Sequence, residues 1–252
     1  MTMAAPKITV LVTGGNNGIG LAACQLFAAQ SNYHCIMTSR SLEKGQKALS
    51  SIQASNSTAT ISLVQLDITS DASIAAAVKE IEAQHGRLDA LINNAGVCPM
   101  EFSRSILHDC LETNAVSPAM VTQAFLPLLL KSNSPRVVYV TSALGSIMKR
   151  ANSEDETYNE NYRAYRTSKA ALNMLVACDA WEYRGQIKVF AYCPGYVITD
   201  LAGQRDMKEK MGIAKSPDGS ARGLLLIAEG KRDDESGKFL GQKKVHYFWL
   251  TQ

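Results

Sequence analysis

"KITVLVTGGNNGIG" runs from Lys7 to Gly20, and its reading decides the fold. Lys7 to Thr13 is apolar and β-branched, the make-up of a short strand buried on both faces. Glycines at 14, 18 and 20 then let the backbone turn sharply, and an apolar-periodic stretch from Gly18 to Gln30 reads as a helix. A strand that ends in a glycine-rich turn at a helix N-terminus offers free N–H groups and the positive end of the helix dipole. That is a place for a pyrophosphate. The same glycines would also serve a tight strand-to-helix turn that binds nothing.

Outward from this unit the pattern repeats. "HCIMTSR", "ATISLVQLD", "LDALINNAG", "RVVYVTSA" and "IKVFAYCPG" are strand-like and alternate with helical segments, and a last short strand lies near "GKFLG". Asp71 opens the helix "DASIAAAVKEIEAQHG" and is suited to capping it. Strands apolar on both faces, each followed by a helix, predict a single doubly wound parallel sheet. This is a Rossmann-like, three-layer α/β domain spanning residues 1–252, with ligands expected beyond the carboxyl ends of the strands. The one compositional break is the polar, acidic segment from Lys149 to Ala164, which reads as a loop.

Composition narrows the classes of function. With 26 basic and 23 acidic residues spread along the chain, the net charge of +3 provides no basic surface for nucleic acid or membrane. The first apolar run stops at glycines after a strand's length, so neither a signal peptide nor a spanning helix is expected. The six cysteines are scattered, without C-x-x-C or histidines at ligand spacing; reduced thiols, no metal site and a cytoplasmic setting are expected. His34, His85, His108 and His246 pair with no serine or cysteine at a strand end and take no catalytic role.

The strand ends carry the chemistry. After the second strand stand Ser39 and Arg40, where a carboxylate would accept from ribose hydroxyls. A guanidinium there suits a 2′-phosphate and favours NADP(H) over NAD. After the third strand, Asp67, followed by Ile68, is placed to accept from an adenine amino group or to form a turn. After the fourth, Asn94, Ala95 and Gly96 suit a backbone passing beside a ribose, or an ordinary turn. Tyr165 precedes Lys169 by four residues, so a helix would set phenol and ammonium on one face. Tyr158 and Tyr162 have no lysine at that spacing.

"TGGNNGIG", "NNAG", Asn114 in "LETNAVSP", Ser142 in "VVYVTSALGS", "YRTSK" and "CPGYVITD" occur in this order. Together they resemble the short-chain dehydrogenase/reductase family from about Ile8 to about Leu201, and most of all its NADPH-dependent carbonyl reductases. The resemblance implies that Tyr165 donates the proton in carbonyl reduction, its phenol brought down from about 10 by Lys169 and by oxidised nicotinamide. It implies that Ser142 holds the substrate oxygen. Asn114 would kink its helix around a bound water, and Lys169 would also bond the nicotinamide ribose. Gly14, Asn16, Asn17, Gly18, Ile19 and Gly20 would cradle the pyrophosphate, and Pro194, Gly195, Val197 and Thr199 would pass along the nicotinamide. The partner is then a small carbonyl or alcohol substrate. Epimerases, dehydratases and synthases share the scaffold, and a binding protein that has lost turnover is a third possibility.

Two features depart from the family's pattern. The segment between Ser142 and Tyr165 is longer by about one short loop, and its acidic stretch from Ser153 to Glu160 would mask an oligomerisation surface, form a lip over the substrate, or simply be solvated. The choice between monomer and homo-oligomer stays open with it. A tail from about residue 241 ends in aromatics that would cover the pocket or a sheet edge. Met100, Phe102, Met148 and Met207 would make an adaptable apolar pocket, or pack as lid or core.

Overall fold

A computed structural model describes residues 6–159, 161–203, 210 and 214–242; Met207, His246, Glu160 and the tail from residue 243 lie outside the described residues. The chain begins β1 (Ile8–Val12), α1 (Gly18–Ala28), β2 (Tyr33–Ser39), α2 (Leu42–Ser55), β3 (Ile61–Gln65), α3 (Asp71–His85) and β4 (Ala90–Asn93). After α4 (Arg104–Leu111), one π-helical turn (Glu112–Val116) leads directly into α5 (Ser117–Leu129) and then β5 (Arg136–Val140). A 3₁₀ turn (Ala143–Gly145), α6 (Ile147–Ala151), α7 (Arg163–Glu182), β6 (Lys188–Tyr192), α8 (Pro217–Ala228) and β7 (Phe239–Leu240) complete it.

The seven strands form one sheet in the order β3-β2-β1-β4-β5-β6-β7, parallel throughout. Alternation along each strand sorts the core into two layers. Val10, Val12, Val138 and Val140 face Phe27 of α1, Ile52 of α2 and Leu224 of α8. Leu11, Val137 and Tyr139 face Ile81 of α3, Phe125 of α5 and Leu172 of α7. Each such side chain, fully buried, contributes about 1.5–3 kcal/mol, and both faces are needed to offset the chain's lost entropy. The expected doubly wound sheet is what forms. The strand order reverses between β1 and β4, which leaves a crevice there beyond the carboxyl ends.

Two local expectations change. The cap of α3 is Ser70, whose hydroxyl accepts from the Ser73 N–H, while Asp71 lies in the first turn, where its charge faces the helix dipole instead. The segment from Lys149 is not loop from its start: α6 is capped by Ser146 and runs to Ala151 before the turns begin. No helix among the described residues is long and apolar enough to cross a membrane.

Candidate active site

The crevice is a cleft of about 870 Å³ that runs from Arg40, Asp67 and Ile68 past the glycine turn to Tyr165 and Lys169. Gly14, Asn16, Asn17, Gly18 and Ile19 form its floor, and Asn94, Ala95, Gly96, Pro194 and Thr199 line it further along. The floor is built by close approach. At Gly20 a Cβ would lie 2.3 Å from the Gly14 carbonyl oxygen and 2.5 Å from Asn94 Nδ2, so no side chain fits. Asn17 caps α1, its Oδ1 accepting from the Gly18 N–H at 2.7 Å. Thr13 Oγ1 accepts from the N–H groups of Asn94 (2.9 Å) and Ala95 (3.0 Å), which fastens the end of β4 to the glycine turn.

Four of the expected cofactor residues do not line this cleft. Ser39 is buried and donates its hydroxyl to the Ser41 carbonyl at 2.8 Å, because the turn into α2 needs that bond. Gly20 packs helix against turn, Val197 is buried in a bridge with Lys215, and Gly195 is an exposed turn glycine with φ at +79°. Asp67 does line it, but its Oδ1 also closes a turn by accepting from the N–H (3.0 Å) and hydroxyl (2.8 Å) of Thr69. Arg40 is exposed at the cleft end.

Three of the four residues expected to act in the reaction converge at the other end. Tyr165 and Lys169 lie one turn apart on α7, both buried, with Lys169 Nζ 5.7 Å from the centre of the Tyr165 ring. Lys169 Nζ donates to the Val140 carbonyl at 2.8 Å, so the end of β5 receives the ammonium. Ser142 caps the 3₁₀ turn, its hydroxyl accepting from the Leu144 N–H at 3.2 Å, and its influence on Tyr165 favours the phenolate. Asn114 sits in the π-helical turn, fully enclosed, so the helix is indeed interrupted there. Its side chain grips the backbone of Val97. Oδ1 accepts from the Val97 N–H and Nδ2 donates to the Val97 carbonyl, both at 2.8 Å, with Ser168 Oγ at 2.9 Å.

The acidification expected of Tyr165 draws on Lys169 and on oxidised nicotinamide; without nicotinamide, burial dominates. Burial pushes the phenol well above its ordinary value, the Cys98 and Cys193 thiols add to this, and the hydrogen bond with Ser142 opposes it. Burial also pulls Lys169 down to about 8, against the opposing influence of the Cys110, Cys98 and Cys193 thiols. Both groups have left water, and desolvation is the largest influence on each. In this structure the tyrosine is therefore a firmly protonated donor.

Other residues were not legible in the sequence. Asn17 Nδ2 donates to Asp200 Oδ2 at 2.9 Å, joining two walls of the cleft from positions 183 residues apart. Gln242 donates to the Pro194 carbonyl at 2.5 Å and to Ser220 Oγ at 3.0 Å. Cys98 and Cys110 line the cleft as thiols outside any disulfide. Met100 also lines it, half exposed, whereas Phe102 carries the Arg163 guanidinium 4.0 Å from its ring centre, so neither is core. Met148 is exposed as well.

A doubly wound α/β domain with a glycine floor at its switch point is a dinucleotide-binding oxidoreductase scaffold. The short chain dehydrogenase model matches residues 8–210, and the chain belongs to that family, whose members act on carbonyl and alcohol groups. It is 33% identical to the short-chain dehydrogenase anuI of Penicillium roqueforti, over 98% of this chain and 99% of that one. It is 26% identical to a (+)-neomenthol dehydrogenase of Arabidopsis thaliana, over 98% and 100% respectively. Among solved structures, an NADPH-bound carbonyl reductase from chicken fatty liver superposes with a TM-score of 0.83 at 31% identity, over 97% of this chain and 100% of that one.

Proposed function

We propose that this oxidoreductase is an NADPH-dependent reductase of ketones or aldehydes, and reversibly an alcohol dehydrogenase, acting on a small organic metabolite with apolar surface. One observation carries the reading. A single cleft joins an exposed Arg40 at one end to the enclosed Tyr165 and Lys169 at the other, with Ser142 beside Tyr165. The glycine floor, with no space for a Cβ at Gly20, fits a pyrophosphate, and Arg40 fits a 2′-phosphate by paired hydrogen bonds. The NADPH in the chicken carbonyl reductase structure supports the same choice of cofactor.

When bound, NADPH supplies hydride to the carbonyl carbon. The protein's own residues do the rest. Ser142 Oγ donates a hydrogen bond to the carbonyl oxygen and holds it where charge builds. Tyr165, kept protonated by burial, passes its phenolic proton to that oxygen, so the alcohol leaves neutral. Lys169, charged below about 8, steadies the phenolate left behind and holds the nicotinamide ribose until the proton is replaced from solvent. Asn114 holds the π-helical turn and Val97 beside this path. Met100 and the partly buried Cys98 give the substrate side an apolar wall.

The test is substrate-dependent loss of NADPH absorbance over a panel of aldehydes and ketones, with products identified. Formation of product without net change in cofactor would replace the reading by an isomerase or synthase. Saturable NADPH binding with no turnover on any carbonyl would overturn it in favour of a binding protein.

A further inference from the structure

The residues between Ser142 and Tyr165 fold back on themselves. Lys149 Nζ meets Asp155 Oδ2 at 2.7 Å, and the other oxygen of Asp155 accepts from the N–H (2.9 Å) and hydroxyl (2.7 Å) of Thr157. Arg150 lies 5.4 Å from the ring centre of Tyr158 and donates to the Tyr158 carbonyl. Arg166, the residue after Tyr165, is 7% exposed and reaches in two directions. It donates to the Thr157 carbonyl within this segment and, at 3.3 Å, to the Leu144 carbonyl two residues after Ser142. A buried guanidinium needs acceptors for its donors, and its planar fork can bridge two carbonyls as an ammonium cannot.

The turn that carries Ser142 has no slack on its other side. A Cβ at Gly145 would lie 2.7 Å from the Lys169 carbonyl carbon and 2.8 Å from its oxygen, so the turn rests directly on the backbone of α7. Its amides are tied as well: Gly145 N–H donates to the Ser142 carbonyl and Ser146 N–H to the Ala143 carbonyl, both at 3.0 Å. The turn is thus pinned to α7 at Lys169 and to the inserted segment through Arg166.

We propose that Arg166 is a positioning residue that fastens the inserted segment to the Ser142 turn, so that the fold of residues 149–158 sets where Ser142 Oγ stands relative to Tyr165. The insertion is a strut for the reacting end of the cleft, with the Lys149–Asp155 pair at its far end. The kinetic part rests on Ser142 holding the substrate oxygen as proposed above; the structural part does not.

Hydrogen exchange and kinetics on Arg166→Met, Arg166→Lys and Asp155→Asn test it. Faster exchange is expected at the amides of Leu144, Gly145 and Ser146 in Arg166→Met, and a smaller rise in Asp155→Asn, which swaps the carboxylate for its isosteric amide. Turnover should fall roughly ten- to a hundredfold in Arg166→Met, as misplacement of a reacting group does. NADPH affinity should hold within about twofold, and Arg166→Lys should be intermediate. In a Ser142→Ala background the Arg166→Met change should cost no more than about threefold further, since the group it positions is gone. Unchanged exchange at 144–146 alongside faster exchange at 150–158 would overturn the strut, and so would losses from Ser142→Ala and Arg166→Met that multiply independently. Should Arg166→Met not fold, Asp155→Asn carries the exchange test alone. Full activity of Ser142→Ala would overturn the functional reading, while the exchange result still decides the strut.

Discussion

Replacing Lys169 by methionine removes a cation that the fold encloses at 5% exposure. Its ordinary value of 10.5 falls to about 8, a displacement worth ~3 kcal/mol at 1.36 kcal/mol per decade of the proton equilibrium. Between pH 8 and 10.5 the unfolded chain keeps a proton that the folded protein has lost, so stability rises with pH across that window. Most of the effect falls between pH 7 and pH 10. Lys169→Met has no such titration. Urea unfolding of the two proteins without cofactor, at pH 7 and again at pH 10, should therefore show the wild type gaining on the order of 2 kcal/mol on the variant as pH rises. The bond lost at the Val140 carbonyl is common to both conditions and cancels in that difference. A gap that stays constant with pH, or moves in favour of the variant, would refute the claim that burial depresses this lysine.

The reaction itself gives four further tests. Tyr165→Phe should lower turnover by roughly two to four decades with NADPH affinity nearly intact, measured by steady-state rates and fluorescence titration. With Lys169 charged below about 8 and neutral above, kcat/KM for reduction should decline as pH rises through about 8, and Lys169→Arg should abolish that decline whatever its absolute rate. Arg40→Asp should raise the Kd for NADPH by at least about tenfold while changing that for NADH little; equal effects would sink the 2′-phosphate assignment. Gly20→Ala must push a methyl against the Gly14 carbonyl and should cost ~1–3 kcal/mol in thermal or urea unfolding, with weaker NADPH binding.

The succession of strands and helices, the glycine turn and the pairing of Tyr165 with Lys169 were all present in the sequence. Each rests on spacing within one element or on the composition of a short run, and such local patterns survive without knowledge of where the chain returns. The family resemblance drew on the same short runs taken in order. Tertiary structure alone decided the rest. Ser39 and Arg40 are neighbours in sequence, yet one turns inward to the Ser41 carbonyl and the other lines the cleft. Asn114 could be seen as an odd residue in a helix, but its grip on Val97 depends on two distant segments meeting. The burial of Arg166 depends on the Thr157 and Leu144 carbonyls, which the sequence leaves nine and 22 residues away, meeting it in space. The burial of Tyr165 was hidden for the same reason: a neighbouring lysine is visible in sequence, whereas desolvation is a property of everything packed around the pair, and without nicotinamide it is the largest influence on each.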